Sequence, residues 1–262
     1  MSEQYAGAII DLDGTVYRGE QPINGAVGGI ERLRAAGVNL VFLTNNPIKR
    51  RMRYRERLAT VGVDADLESV LTSATISATY LATTHPDETT FVVGESPLVE
   101  ELEAAGVTTT ADPSRADIVL ASMDRSFEYT DLEEILEAFE NEPLFYATNP
   151  DRTCPVAGGE IPDAAAMIGA IEGLTGRELD AVIGKPSATA VTVAAEYLGV
   201  DPERCLVVGD RLETDITMGR RAGMDTALVL SGVTDRDELA ESTADPSYVL
   251  ESLGDIEAVL ES

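Results

Sequence analysis

The sequence predicts an α/β protein built on a doubly wound parallel sheet, with a second, smaller α/β unit inserted into it. Three observations carry the prediction. Short apolar runs alternate with amphipathic stretches along the chain, and strands that alternate with helices form parallel sheets covered on both faces. Glycine closes one amphipathic stretch after another, as a helix stop does. The apolar runs number about ten, too many for one comfortable sheet in 262 residues.

Taken in order, Ala8-Ile9-Ile10 forms the first strand, and the helix after it stops at Ala35-Ala36-Gly37. Residues 39–43 begin the next strand, and a helix covers residues 74–85. Residues 91–93, 118–120 and 144–146 are strands of the smaller unit, where Leu102 to Gly106 repeats the first helix ending in nearly the same letters. Thr130-Asp131-Leu132-Glu133 reads as a capping box that opens a helix through Phe139. Residues 181–183 and 206–208 are strands of the returning core, and Gly199 and Gly223 stop its helices. No low-complexity linker marks either edge of the smaller unit, which favours an insertion over a tandem arrangement. The expected division is residues 1–76 and 182–262 for the core and 77–181 for the inserted domain.

Composition narrows the function classes. Hydrophobic residues at 44% and charged residues at 25% suit a soluble globular protein. No apolar run is long enough to span a bilayer and no secretory signal pattern opens the chain, so a cytoplasmic location is expected. Asp and Glu total 47 against 19 Lys and Arg, a net charge of -28. Such a field repels nucleic acid and anionic membranes, and neither is expected as a partner. At about 1 M salt the Debye length is only about 3 Å, so the same surface would be little felt at a buried site. With Lys49 and Lys185 as its only lysines, the composition reads as salt adaptation; an acidic protein of an ordinary cell is the alternative. Cys154 and Cys205 make neither a disulfide framework nor a zinc site, and the single histidine, His85, leaves no histidine triad. The chemistry must rest on carboxylates, hydroxyls and lysine.

Four segments, each after a predicted strand, supply those groups. Ligands of parallel α/β sheets bind beyond the carboxyl ends of the strands. Asp11-Leu12-Asp13-Gly14-Thr15 follows the first strand, and carboxylates two residues apart on an extended segment point to one side. They repel unless a hard cation such as Mg²⁺ lies between them; a helix cap with a second solvated acid is the plainer alternative. Thr44-Asn45-Asn46 offers a hydroxyl and successive backbone N–H groups to phosphate oxygens, or is simply an Asn-rich turn. Gly184-Lys185-Pro186 places a point charge suited to phosphate, or a surface lysine. Gly209-Asp210, with Asp215 five residues on, adds carboxylates for a cation, or caps a helix. Each segment alone is weak, and the ordered set of four is hard to reach by chance.

In these four ordered motifs the sequence resembles the haloacid dehalogenase superfamily of phosphatases. The insertion between the second and third motifs, with Ala147-Thr148-Asn149-Pro150-Asp151, is similar to the NagD-like (4-nitrophenylphosphatase) branch, and the likeness covers essentially the whole chain. The resemblance implies a Rossmann-like core with an α/β cap and a phosphatase of small monoesters such as sugar phosphates, nucleoside monophosphates and 4-nitrophenyl phosphate. It implies that Asp11 is the nucleophile, that Asp13 is acid and then base, and that Thr44, Asn45, Asn46 and Lys185 hold phosphate. It further implies Mg²⁺ held by Asp11, the Asp13 backbone carbonyl and Asp210, with Asp215 in support. Asn149 and Asp151 either face the site from the cap or form a strand-end turn. Glu160-Ile161-Pro162-Asp163-Ala164-Ala165 and Ser122-Met123-Asp124-Arg125 depart from the branch's pattern, which bears on the leaving group and not on the chemistry.

Other classes fit less well. A receiver-type signalling domain would not need Asp13 as an acid or the insertion, and a dehalogenase of the same superfamily would lack the second aspartate. A phosphotransferase would differ only in the acceptor, and a silent interaction protein would have lost a group that is present here. Lys49, Arg50, Arg51, Arg53, Arg55 and Arg57 hold six of the 19 positive charges. They read chiefly as a solvated helix face; they could instead attract an anionic substrate or pair with a second subunit in a homodimer.

Overall fold

The computed structural model describes residues 5–156 and 158–261. In chain order its first elements are β1 (Gly7–Ile10), β2 (Tyr17–Arg18), β3 (Gln21–Pro22), α1 (Ala26–Ala35), β4 (Asn39–Thr44), α2 (Arg51–Thr60) and β5 (Val70–Thr72). There follow α3 (Ser73–Thr84), β6 (Thr89–Val93), α4 (Ser96–Ala104), β7 (Thr108–Thr110), β8 (Ile118–Ala121), α5 (Tyr129–Ala138) and β9 (Leu144–Ala147). Then come β10 (Thr153–Val156), β11 (Gly159–Pro162), α6 (Ala164–Thr175), β12 (Ala181–Val182), α7 (Ala188–Leu198) and β13 (Cys205–Gly209). The chain closes with α8 (Thr217–Arg221), β14 (Asp225–Val229), α9 (Arg236–Glu241), β15 (Tyr248–Leu250) and α10 (Glu257–Leu260).

The chain divides into two compact units, one of residues 1–44, 51–71 and 186–262, the other of residues 45–50 and 72–185. These contact boundaries lie a few residues from the expected 76/77 and 181/182. Helix α3 goes wholly to the second unit because it packs on α4.

The first unit holds a six-stranded sheet in the order β15-β14-β13-β1-β4-β5. β1 runs parallel to both neighbours, with Ile10 opposite Val208 on one side and Phe42 on the other. Three strands therefore end side by side, each followed by one of the polar segments. β1 is buried along its whole length, the pattern of a central parallel strand. Ile10, Phe42, Leu58, Val208 and Leu253 belong to its core, and each such side chain contributes about 1.5–3 kcal/mol by leaving water.

The second unit holds a five-stranded parallel sheet in the order β12-β9-β8-β6-β7, with an antiparallel hairpin of β10 and β11. Its core gathers Phe91, Val119, Ile135, Phe145 and Ile168. Two sheets thus account for the surplus of strands. Gly37, Gly106, Gly199 and Gly223 all take positive φ at helix ends, the left-handed cap that glycine adopts without strain. The capping box of α5 lies two residues earlier than its expected place. Glu128 is the N-cap and Asp131 the reciprocal acid, accepting the Glu128 N–H at 2.7 Å. Among the described residues no helix is long and apolar enough to cross a membrane.

Candidate active site

The strand ends of the first unit bring Asp11, Asp210 and Asp215 together. Asp11 directly follows β1, and its N–H donates to the Val208 carbonyl at 2.9 Å, which extends the parallel ladder to the acid itself. Asp210 directly follows β13. Asp215 reaches the same place from a π-helical turn, Leu212–Ile216, a wide turn of the kind often found at functional sites. All three are buried, and each offers an oxygen within 4.8 Å of the others.

Three carboxylates this close repel one another. At an effective dielectric of about 20, each pair costs on the order of 3 kcal/mol. Neighbouring donors offset part of that: Thr15 Oγ1 donates to Asp11 Oδ2 at 3.3 Å, the Val233 N–H to Asp210 Oδ2 at 2.7 Å, and the Arg211 N–H to Asp215 Oδ2 at 3.2 Å. The donor set is all hard oxygen and carries three formal negative charges, which suits Mg²⁺. Backbone packing is shaped around it. A Cβ on Gly14, Gly209 or Gly232 would overlap the side chain of Asp210 or Asp215, and Gly14 also takes φ +97.

Asp13 turns to a different partner. Its Oδ1 lies 3.3 Å from Arg57 Nη1, with both side chains less than a fifth exposed. The Arg57 guanidinium carbon sits 3.7 Å from the centroid of the Tyr17 ring. Arg57 also donates to the Gly19 carbonyl through Nε, at 3.0 Å, and through Nη2. Burial, and next the Asp13 carboxylate, push the Tyr17 phenol well above its ordinary range, so the ring stays neutral beneath the guanidinium.

Thr44 ends β4 and is buried; the next residue, Asn45, opens the second unit's own polar network. The Asn45 side chain is held at both ends by the Lys185 backbone. Its Oδ1 accepts the Lys185 N–H at 2.9 Å, and its Nδ2 donates to the Lys185 carbonyl at 3.1 Å. Asp151 Oδ2 accepts from the same Nδ2 at 3.1 Å. Ser73 Oγ, at 2.5 Å, and Asn149 Nδ2, at 3.0 Å, both donate to the Asn45 carbonyl. Lys185 is itself buried, at 2% exposure, so it is not the solvated surface lysine of the alternative reading. Gly184 has no room for a Cβ beside the Thr148 carbonyl and the Asn45 side chain, which explains the glycine before Lys185. Asn149 Oδ1 accepts the Asp151 N–H at 2.9 Å, so both of its polar ends serve the turn. Asn46 donates to Cys154 Sγ at 3.3 Å and accepts the Ile48 N–H.

Two participants escaped the sequence. Arg57 was one arginine of a basic run, although it shares a helix stripe with Tyr54 and Leu58, the buried residues of α2, and that spacing marks an inward-facing position. The segment after β14 carried no motif. There the Ser231 and Gly232 carbonyls accept from Arg18, Ser231 Oγ donates to the Gly14 carbonyl at 2.8 Å, and Val233 binds Asp210.

Comparison with known proteins identifies the family and the fold. Residues 8–108 match the family model described as haloacid dehalogenase-like hydrolase, and residues 182–256 match one described as HAD-hydrolase-like. The sugar-phosphatase AraL of Bacillus subtilis is 37% identical over 256 residues, which covers 98% of this chain and 93% of that protein. Among solved structures, p-nitrophenyl phosphatase from Archaeoglobus fulgidus is similar at a TM-score of 0.91 and 34% identity, covering 97% of this chain and 99% of its own. NagD from E. coli K-12 is similar at a TM-score of 0.87 and 32% identity, over 96% and 98% of the two chains.

Proposed function

This chain belongs to the haloacid dehalogenase-like hydrolases, in their NagD-like branch, and on that premise we propose that it hydrolyses small phosphate monoesters with Asp11 as covalent nucleophile. The observation that carries the reading is the buried group of Asp11, Asp210 and Asp215 at adjacent strand ends. Their carboxylates, with the Asp13 backbone carbonyl, would hold Mg²⁺. When bound, the ion neutralises charge that otherwise keeps a carboxylate away from a phosphate dianion.

Asp11 attacks phosphorus, and the bond from phosphorus to the ester oxygen breaks as an aspartyl-phosphate forms. Asp13 gives its proton to the departing oxygen. It then takes a proton from the water that attacks the same phosphorus, and phosphate leaves as the bond to Asp11 breaks. Splitting the transfer in two lets one carboxyl serve as acid and then as base. The Thr44 hydroxyl, the backbone N–H groups of Asn45 and Asn46 and the Lys185 ammonium are the groups for the phosphate oxygens. Asn149 acts by holding the Asn45 turn. The substrates are sugar phosphates, nucleoside monophosphates and similar monoesters, with 4-nitrophenyl phosphate as a convenient probe; the names of the sugar-phosphatase and p-nitrophenyl phosphatase relatives support that class.

The test is release of 4-nitrophenol in high salt, with Mg²⁺ and then with EDTA, for wild type and Asp11→Asn. Wild type should turn over only with Mg²⁺, and Asp11→Asn should lose at least about a thousandfold while still folding, as a cooperative thermal transition shows. Near-wild-type rates in Asp11→Asn would remove the nucleophile.

A further inference from the structure

We propose that Arg57 is the positioning residue of Asp13: it clamps the Asp13 carboxyl in the one orientation from which a proton can pass to the leaving oxygen. The inference rests on the reading of Asp13 as acid and base given above. Nothing in the four motifs assigns Arg57 a part, since it sits on α2, 44 positions after Asp13 in the chain.

The argument is geometric. The guanidinium is held by two groups before it meets Asp13. Its face lies on the Tyr17 ring at 3.7 Å, and two of its nitrogens converge on the Gly19 carbonyl. Tyr17 is fully buried, so the platform cannot swing. Only then does Nη1 reach Asp13 Oδ1 at 3.3 Å. A planar fork with its donors in fixed directions can satisfy a carbonyl, a ring face and a carboxylate together; a lysine ammonium on a flexible stem cannot. Gly19 joins β2 to β3, the hairpin that directly follows the Asp11-to-Thr15 segment. Arg57 thus ties the acid to the backbone of the next turn of chain. By contrast, Arg53 on the same helix pairs with Glu56 and is 69% exposed.

A positioned acid matters most when the leaving group is poor. The phenolate of 4-nitrophenol departs with little help, whereas unsubstituted phenolate needs its proton. The experiment measures kcat/KM, which reports through phosphoryl transfer to Asp11, for 4-nitrophenyl phosphate and phenyl phosphate in high salt with Mg²⁺. The enzymes are wild type, Arg57→Met, Arg57→Lys, Arg53→Met and Asp13→Asn, each with its thermal transition recorded. Arg57→Met should lose about 10- to 100-fold on phenyl phosphate and less than about 3-fold on 4-nitrophenyl phosphate, within the range that general acid catalysis supplies. Arg57→Lys should show the same split at smaller size, which keeps the test decisive if the Met variant does not fold. Arg53→Met should match wild type on both esters. Equal losses on the two esters would make Arg57 merely structural and overturn the inference, as would no loss at all. Failure of the underlying reading has its own signature, namely a wild type that cleaves neither ester or an Asp13→Asn variant as active as wild type, and either removes the inference with it.

Discussion

A side chain at position 209 has nowhere to go, because its Cβ would overlap the Asp215 carboxylate. The Gly209→Ala substitution must push either β13 or the π-helical turn, and overpacking of this size costs about 1–3 kcal/mol. Chemical denaturation should show that loss, and Mg²⁺-dependent turnover should fall with it, since Asp215 is the group displaced. A variant as stable and active as wild type would mean the turn yields freely. Asp11 and Asp210 were legible in the sequence, because each follows an apolar run whose end the eye can locate. Their mutual distance was not, since that depends on β1 and β13 being neighbours in the sheet.

Elements set the next level of control. Glu95 is the N-cap of α4, yet its carboxylate makes no cap bond and turns to Arg125 instead. Arg125 Nε and Nη2 donate to its two oxygens at 2.6 and 2.8 Å. Those hydrogen bonds hold the Glu95 carboxyl below its ordinary value of 4.5. A carboxyl with a depressed folded pKa adds stability that is complete above its unfolded pKa, here about 4.5, and lost as pH falls through the folded value. Arg125 is 57% exposed, so solvent screening limits the pair to about 1 kcal/mol or less. Glu95→Gln should therefore melt lower than wild type near pH 7, and the two should converge as the pH falls below 4.5 and through the lower folded value. A gap that persists unchanged in acid would point to packing. The helix stops of the sequence reading hold in these elements because a glycine cap is local. The capping box of α5 lies two residues earlier because Glu128 is the N-cap, and the Thr130 hydroxyl donates to its carboxylate at 3.1 Å.

For the whole molecule the dominant quantity is a net charge of -28. Self-repulsion of that charge destabilises the compact state, and salt relieves it. The Debye length grows from about 3 Å at 1 M to about 30 Å at 0.01 M, so repulsion then reaches across each unit. Dilution from about 2 M salt to tens of millimolar should lower the melting temperature by about 5 °C or more. Scanning calorimetry at fixed pH checks this, and an unchanged transition would remove salt adaptation from the account of the composition. Three residues of the basic run have acidic partners. Arg50 pairs with Glu100 and Glu101, Arg53 with Glu56, and Arg57 turns inward.

The sequence by itself determined the α/β alternation, the insertion, the helix stops and the four polar segments at strand ends. All of these are written in local periodicity and in short motifs whose geometry needs only a few neighbouring residues. Tertiary structure alone decided that Asp11, Asp210 and Asp215 share one buried place and that Asp13 faces Arg57. It also decided that Asn149 serves the Asn45 turn. Those choices depend on which carbonyl, ring or carboxylate arrives from tens or hundreds of residues away, and no local pattern encodes the identity of a distant partner.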